Sequence, residues 1–134
     1  GDVYKRQMYR RPITFMDYDG NQVTENFEFN LSKAELVEME AEYPGGMQAM
    51  IQRITKERDG KAIVSVIKDI ILRSYGERSL DGRRFVKNED MREKFSQTDA
   101  YSELFMELAM NPDKTAEFIN NIIPKIPDAP KPAE

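Results

Sequence analysis

Cysteine and histidine are both absent from the 134-residue chain. Without cysteine the chain can form no disulfide, and it has no thiolate to serve as a nucleophile or a zinc ligand. Without histidine it lacks the side chain that most often moves protons near neutral pH. These absences exclude Ser-His and Cys-His catalysis and zinc sites built from cysteine or histidine. We therefore expect a binding protein rather than an enzyme, with no cofactor and no metal site.

The chain also lacks an excess of positive charge and a long apolar run. Lys and Arg total 20 against 24 Asp and Glu, which gives a net charge of −4. Because an acidic chain is repelled on average by a phosphate backbone, we expect no nucleic-acid partner. The densest apolar stretch, residues 62–72, is interrupted by polar side chains and is far shorter than a membrane span. We therefore expect a soluble protein with no membrane segment.

Periodicity divides the chain into three parts. Residues 1–7 show no hydrophobic periodicity and precede Met8, so we expect them to be a non-native leader. Residues 8–123 carry a periodic apolar pattern, and a chain of this size can fold as one globular domain without a disulfide or a metal. Four of the seven prolines lie in residues 124–134, which predicts an extended, flexible tail.

Alternating apolar residues predict two strands near the start of this domain, over residues 11–19 and 22–30. Phe27 and Phe29 share one face of the second strand. Residues 19–21, Asp-Gly-Asn, are residue types that adopt positive φ in a tight hairpin turn. Because an isolated hairpin is marginally stable in water, we expect its apolar face to pack on the helices that follow.

Helix signals dominate the rest of the domain. Ser32 and Glu35 have the spacing of a capping box, which predicts that a helix begins there. A second helix is predicted over residues 47–58. Residues 61–75 are rich in β-branched side chains, but their length and apolar spacing favour a third, central helix with Gly76 as its left-handed C-cap.

Residues 77–86 are predicted to form a loop. Beyond it, N-cap residues and a first-turn proline predict three further helices, which begin near Asn88, near Ser96 or Thr98, and at Pro112. The expected fold is α+β and mainly α, with an N-terminal β-hairpin packed on a bundle of five to six helices.

One acidic pattern has the spacing of a metal site. Asp17, Asp19, Asn21 and Glu28 have the spacing of the first, third, fifth and twelfth positions of a calcium-binding loop. Gln22 stands where such a loop needs glycine, and the flanking residues alternate as in strands rather than as in helices. We therefore expect a hairpin turn here rather than a calcium site.

Pairs of carboxylates also occur along the predicted helices, for example Glu35 with Glu38 and Glu103 with Glu107. Such pairs can perform acid–base catalysis when one carboxyl pKa is raised. No pocket signature and no group able to raise a carboxyl pKa accompanies them. We therefore expect these side chains to lie on solvated helix faces.

The chain contains eight methionines, a high number for its length. Most methionines fill gaps in a core, but flexible thioethers also suit a groove that accepts varied apolar partners. Met106 and Met110 are four residues apart and offset from the stripe formed by Tyr101, Leu104 and Leu108. One helix would then have two apolar faces, of which one needs a partner.

Several short segments stand in a characteristic order along the chain: residues 26–36 (NFEFNLSKAEL), the Gly45-Gly46 break, and residues 70–77 (IILRSYGE), 81–85 (DGRRF), 95–101 (FSQTDAY) and 104–108 (LFMEL). This order resembles that of the small tail assembly chaperones of long-tailed bacteriophages, and the similarity covers about residues 8–123. The resemblance implies a protein of the infected host's cytoplasm that is absent from the finished virion. It also implies binding to the tape-measure protein until tail-tube subunits polymerise around it.

The preferred function is therefore a non-enzymatic tail assembly chaperone that solubilises the tape-measure protein. Two alternatives stay open: a virion structural component, such as a tail-tube or head-tail joining protein, and a small hydrolase using carboxylates. No catalytic residue is predicted. The candidate partner-binding residues are Tyr101, Phe105, Met106 and Met110, with Met47 and Met50 as second choices.

Overall fold

The structure, a computed structural model, describes residues 8–124. The predicted leader and all of the predicted tail beyond Pro124 lie outside these residues. The described part is an α+β fold that is mainly α, as predicted. Its elements in chain order are β1 (Tyr9–Met16), β2 (Gln22–Phe29), α1 (Lys33–Glu42), α2 (Gly46–Gln52), a π-helical segment (Arg53–Glu57), α3 (Gly60–Ser74), β3 (Tyr75–Arg78), β4 (Phe85–Val86), α4 (Glu89–Ser96), α5 (Asp99–Met110) and α6 (Pro112–Ile122).

The predicted N-terminal hairpin is confirmed. β1 and β2 are antiparallel, and their register runs from Tyr9 opposite Phe29 to Met16 opposite Gln22. The connection is longer than the predicted tight turn. The Asp17 carboxylate stabilises this connection by accepting hydrogen bonds from the backbone N–H groups of residues 19 and 21, at 3.0 and 2.8 Å. Positive φ was expected across residues 19–21, but within this turn only Gly20 has it.

Residues 77–86 were predicted to be a loop, and this prediction is wrong in part. β3 and β4 form a second hairpin here, and β3 also pairs with β2, so the described sheet has four strands in the order β1-β2-β3-β4. Gly76 is not a left-handed C-cap, because α3 ends at Ser74, its C-cap Tyr75 is extended and Gly76 does not have a positive φ. Gly76 instead lies in β3 opposite Glu28, where the Phe85 ring occupies the space of a Cβ atom, 2.6 Å from its ideal position.

The predicted helix starts agree with the structure. Ser32 and Glu35 form the capping box at the start of α1. The Glu35 backbone N–H donates to the Ser32 hydroxyl at 3.1 Å, and the Ser32 backbone N–H donates to the Glu35 carboxylate at 2.8 Å. Asn88 and Thr98 are the N-caps of α4 and α5, and Pro112 is in the first turn of α6. These local hydrogen bonds are determined by residues three positions apart, which is why they can be identified in the sequence.

The core lies between the sheet and the helices, with α3 at its centre. One side of α3 buries a row of β-branched side chains, and α3 packs against α4, α5, α6 and the π-helical segment. The largest fully buried side chains include Phe29, Leu31, Met39, Ile67, Ile70, Leu104, Leu108 and Phe118. Between residues 8 and 124, no helix has both the length and the apolar character needed to cross a membrane.

Candidate partner-binding site

The inner face of α5 anchors this helix in the core. Ala100, Leu104 and Leu108 are fully buried there. They recur every four residues, so they lie in one row along the helix. This side of α5 packs on β1, α3, α4 and α6. The helix is therefore held rigidly, and its remaining faces are presented in a fixed orientation.

The outer face of α5 carries two exposed methionines. Successive helical residues are turned by about 100°, which puts Met106 and Met110 on the side opposite Leu104 and Leu108. Their side chains are 51% and 73% exposed. Phe105 and Ala109 are half-buried beside them and contact the core. We call these four residues, Phe105, Met106, Ala109 and Met110, the methionine face.

Tyr101 extends this apolar surface toward α4. Its ring lies 6.0 Å from that of Phe105 and 5.8 Å from that of the buried Phe95, measured between centroids. Burial raises the pKa of the Tyr101 hydroxyl above its ordinary value. The structure thus brings together the four first-choice residues of the sequence analysis, Tyr101, Phe105, Met106 and Met110, on one helix.

The second-choice residues lie elsewhere. Met47 and Met50 belong to α2 and are buried in the core together with Met39 of α1. In this conformation their thioethers fill space between helices and have no surface to offer a partner. The core-filling interpretation therefore holds for these three methionines, and the candidate site is confined to α5.

A row of carboxylates borders the methionine face. Asp99, Glu103 and Glu107 follow one another at intervals of four residues along α5. Glu107 accepts hydrogen bonds from Arg11 at 2.5 Å and from Lys114 at 3.2 Å. Burial alone would raise the pKa of Glu107, but the bonds from these two cations outweigh it and lower the pKa. Glu107 was predicted to be solvated, but its carboxylate instead ties α5 to β1 and to α6.

A second charged cluster closes the C-terminal end of α3. Lys87 donates to both carboxylate oxygens of Glu35, at 2.7 and 2.9 Å, and to the carbonyl oxygens of Asn30 and Arg73, at 2.6 and 2.8 Å. Arg92 donates to the Leu72 carbonyl at 3.1 Å. These cations satisfy carbonyls that the end of a helix leaves without intrahelical partners. The cluster is structural, and Glu35 is not the solvated carboxylate that we predicted.

Beside this cluster lies a polar cleft of about 390 Å³, lined by Glu35, Glu38, Asp69, Leu72, Arg73 and Arg92. Asp69 accepts bonds from the Tyr43 hydroxyl and from Arg73, so its carboxylate is already engaged. Among the lining charges, Asp69 thus pairs with Arg73, whereas Glu35 pairs with Lys87 beside the cleft. Sequence reasoning did not identify Lys87 or this cleft, because the residues that meet there are far apart in the chain.

The acidic residues with calcium-loop spacing are not brought together. Asp17 uses its carboxylate to hold the hairpin turn, and Glu28 pairs with Arg78 at 2.9 Å at the other end of β2. In the part of the chain that the structure describes, no group of three or more Asp or Glu side chains is arranged to hold a metal ion.

Comparison with known protein families identifies a family that this chain matches. The profile of the phage tail assembly chaperone family matches residues 8–127, which is nearly the whole chain. Comparisons with curated proteins and with solved structures gave no match. A tail assembly chaperone family is not an enzyme family. The chain therefore belongs to the phage tail assembly chaperone family.

Proposed function

We propose that this protein binds and solubilises the phage tape-measure protein before tail-tube subunits polymerise around it. The observation that carries the proposal is the methionine face of α5 in a member of this family. Met106 and Met110 are too exposed to be explained by the protein's own core. A protein partner that covers them would remove apolar surface from water.

The chemistry of the face suits such a client. A tape-measure protein is a long helical chain with apolar stripes, and methionine side chains adapt to apolar surfaces of varied shape. One copy of the protein contributes only a few side chains, so we expect it to bind the tape-measure protein with modest affinity and to dissociate readily. Many copies along one client supply the avidity needed to keep it soluble until tube subunits displace them.

The site of action that fits this function is the cytoplasm of the infected host. The protein would act there without a cofactor and would be absent from the finished particle. A role as a virion structural component remains the competing proposal. It would be favoured if the protein were found in purified particles in a fixed ratio to the tube subunit.

The test is co-expression with the tape-measure protein of the same phage. We expect wild type to keep the tape-measure protein in the supernatant after centrifugation. Met106→Gln/Met110→Gln removes the apolar surface at nearly constant side-chain length, and we expect it to lose this activity. As a matched control, Val37→Gln/Val64→Gln alters two other helical residues that are 68% and 51% exposed, and we expect it to behave as wild type.

Circular dichroism should give the same helical signal for all three proteins, because every altered side chain is at the surface. A wild-type protein that leaves its tape-measure protein in the pellet would contradict the proposed function. A methionine variant as active as wild type would instead show that the client binds another surface.

A further inference from the structure

The exposed surface of α5 consists of two parallel rows with different chemistry. Met106 and Met110 form an apolar row, since residues four apart lie above one another on a helix. Asp99, Glu103 and Glu107 form an acidic row beside it. Glu103 and Glu107 each precede a methionine by three residues, so the two rows are adjacent along the helix.

Within residues 8–124 the protein neutralises only one of the three carboxylates in the acidic row. α5 contains no Lys or Arg. Within residues 8–124, Glu107 pairs with Arg11 and Lys114, whereas neither Asp99 nor Glu103 has an ion-pair partner. A carboxylate at Asp99 is favourable to the helix because it is in the first turn, but this does not explain Glu103, which lies one turn further on. Glu103 therefore borders the apolar row without an ion-pair partner among the described residues, and Asp99 continues the acidic row one turn toward the start of α5.

The acidic row affects which partners can bind the methionine face, because it interacts with the charges that flank the partner's apolar residues. A partner helix that buries Met106 and Met110 brings its own flanking side chains beside Glu103, and a partner that continues along α5 by one more turn also meets Asp99. Acidic flanks would be repelled, and so would a phosphate-bearing polymer or an anionic membrane surface. Lysine or arginine flanks would be attracted.

We propose that the methionine face binds a basic amphipathic helix, with apolar residues three or four apart and Lys or Arg along one side. The observation behind this is that an exposed apolar row lies beside an acidic row on one helix, and that Asp99 and Glu103 of the acidic row have no ion-pair partner within residues 8–124. The inference rests on the proposed function, because it uses the same face, and it specifies which client segments are bound.

The test uses the full 134-residue protein and three synthetic helical peptides. The peptides share one apolar stripe and differ only in its flanking positions, which are Lys, Gln or Glu. Fluorescence anisotropy gives the dissociation constant of each. We expect the Lys peptide to bind most tightly and the Glu peptide least tightly. Raising the salt concentration should reduce this difference, because exposed charges are screened.

Variants of the acidic row then test the assignment. Two exposed ion pairs are together worth about a fivefold change in affinity, so Asp99→Asn/Glu103→Gln should weaken the Lys peptide by about that factor and leave the Gln peptide unchanged. Asp99→Lys/Glu103→Lys should reverse the order and favour the Glu peptide. The matched control is Glu89→Gln/Glu93→Gln, because these residues are also exposed and four apart, but on α4. We expect it to keep the wild-type order.

Equal affinities for the three peptides, or an order that the acidic-row variants leave unchanged, would overturn the inference. This failure is distinguishable from failure of the proposed function. If wild type solubilises the tape-measure protein but binds the three peptides equally, the function stands and the inference fails. If wild type prefers the Lys peptide but leaves the tape-measure protein in the pellet, the inference stands and the proposed client is wrong.

Discussion

Lys87 holds together three segments that are distant in the sequence, and Lys87→Met tests how much this contributes to stability. Its side chain is only 10% exposed, and its ammonium group contacts Glu35 and the carbonyls of Asn30 and Arg73. Methionine keeps most of the apolar stem but removes the charge and the donors. Glu35 and two carbonyl oxygens would then lose a partner in a half-buried position.

Removing one member of a fully buried ion pair costs about 3–5 kcal/mol, and the partial exposure of Glu35 reduces this, so we expect about 2–3 kcal/mol. The control is Lys94→Met. Lys94 pairs with Asp90 at 3.0 Å, but both side chains are about three-quarters exposed. The same substitution there should cost at most about 0.5 kcal/mol.

Urea unfolding followed by circular dichroism measures both free energies of unfolding. Equal losses for the two variants would refute the argument, because they would show that the Lys87 contacts contribute no more than a surface pair. A change in the urea dependence itself would indicate an altered unfolded state and would require a second probe.

The same variant makes a prediction about pH. Burial by itself would raise the pKa of Glu35, but hydrogen bonds from Lys87 and from the Ser32 N–H lower it below its ordinary value of 4.5. A carboxyl whose pKa is lower in the folded state stabilises the fold above its unfolded pKa. This stability is lost as the pH falls through the folded pKa. The difference in stability between wild type and Lys87→Met should therefore be largest near neutral pH and shrink below about pH 4.

Two backbone positions give further predictions. Gly76→Ala should cost about 1–3 kcal/mol, because its Cβ would meet the Phe85 ring, whereas Gly60→Ala meets no atom within 4 Å and should stabilise α3 by about 0.4–1 kcal/mol. Thermal unfolding measures the stability of both variants. A Gly76→Ala variant more stable than wild type would contradict the expected clash between its Cβ and the Phe85 ring. Ser32→Ala should cost about 1 kcal/mol by removing the cap that Glu35 completes, and an unchanged melting temperature would show that the capping box contributes nothing.

Local features of the fold could be predicted because each depends on residues close together in the chain. The capping box joins Ser32 and Glu35, and the first hairpin needs only two alternating segments and a turn containing Gly20. Residues 60–74 form the helix α3, as their apolar spacing predicted, although their β-branched composition is also typical of a strand. Met106 and Met110 were separable from the buried stripe because a regular helix determines which residues share a face.

Other features depend on contacts between distant segments, which a single sequence does not show. Lys87 meets a carbonyl 57 residues away, and its own neighbourhood carries no sign of that contact. The short strands β3 and β4 have too few residues for an alternating pattern, and their pairing places Gly76 against Phe85.

The sequence by itself determined the absence of thiol and imidazole chemistry, the main helices with their caps, the family resemblance and the two apolar sides of α5. Only the tertiary structure decided which methionines are available to a partner. Met47 and Met50 are as apolar as Met106 and Met110, and both pairs lie on helices. The burial of a side chain depends on whether another element packs over it, and α2 has its methionines covered whereas those of α5 face solvent.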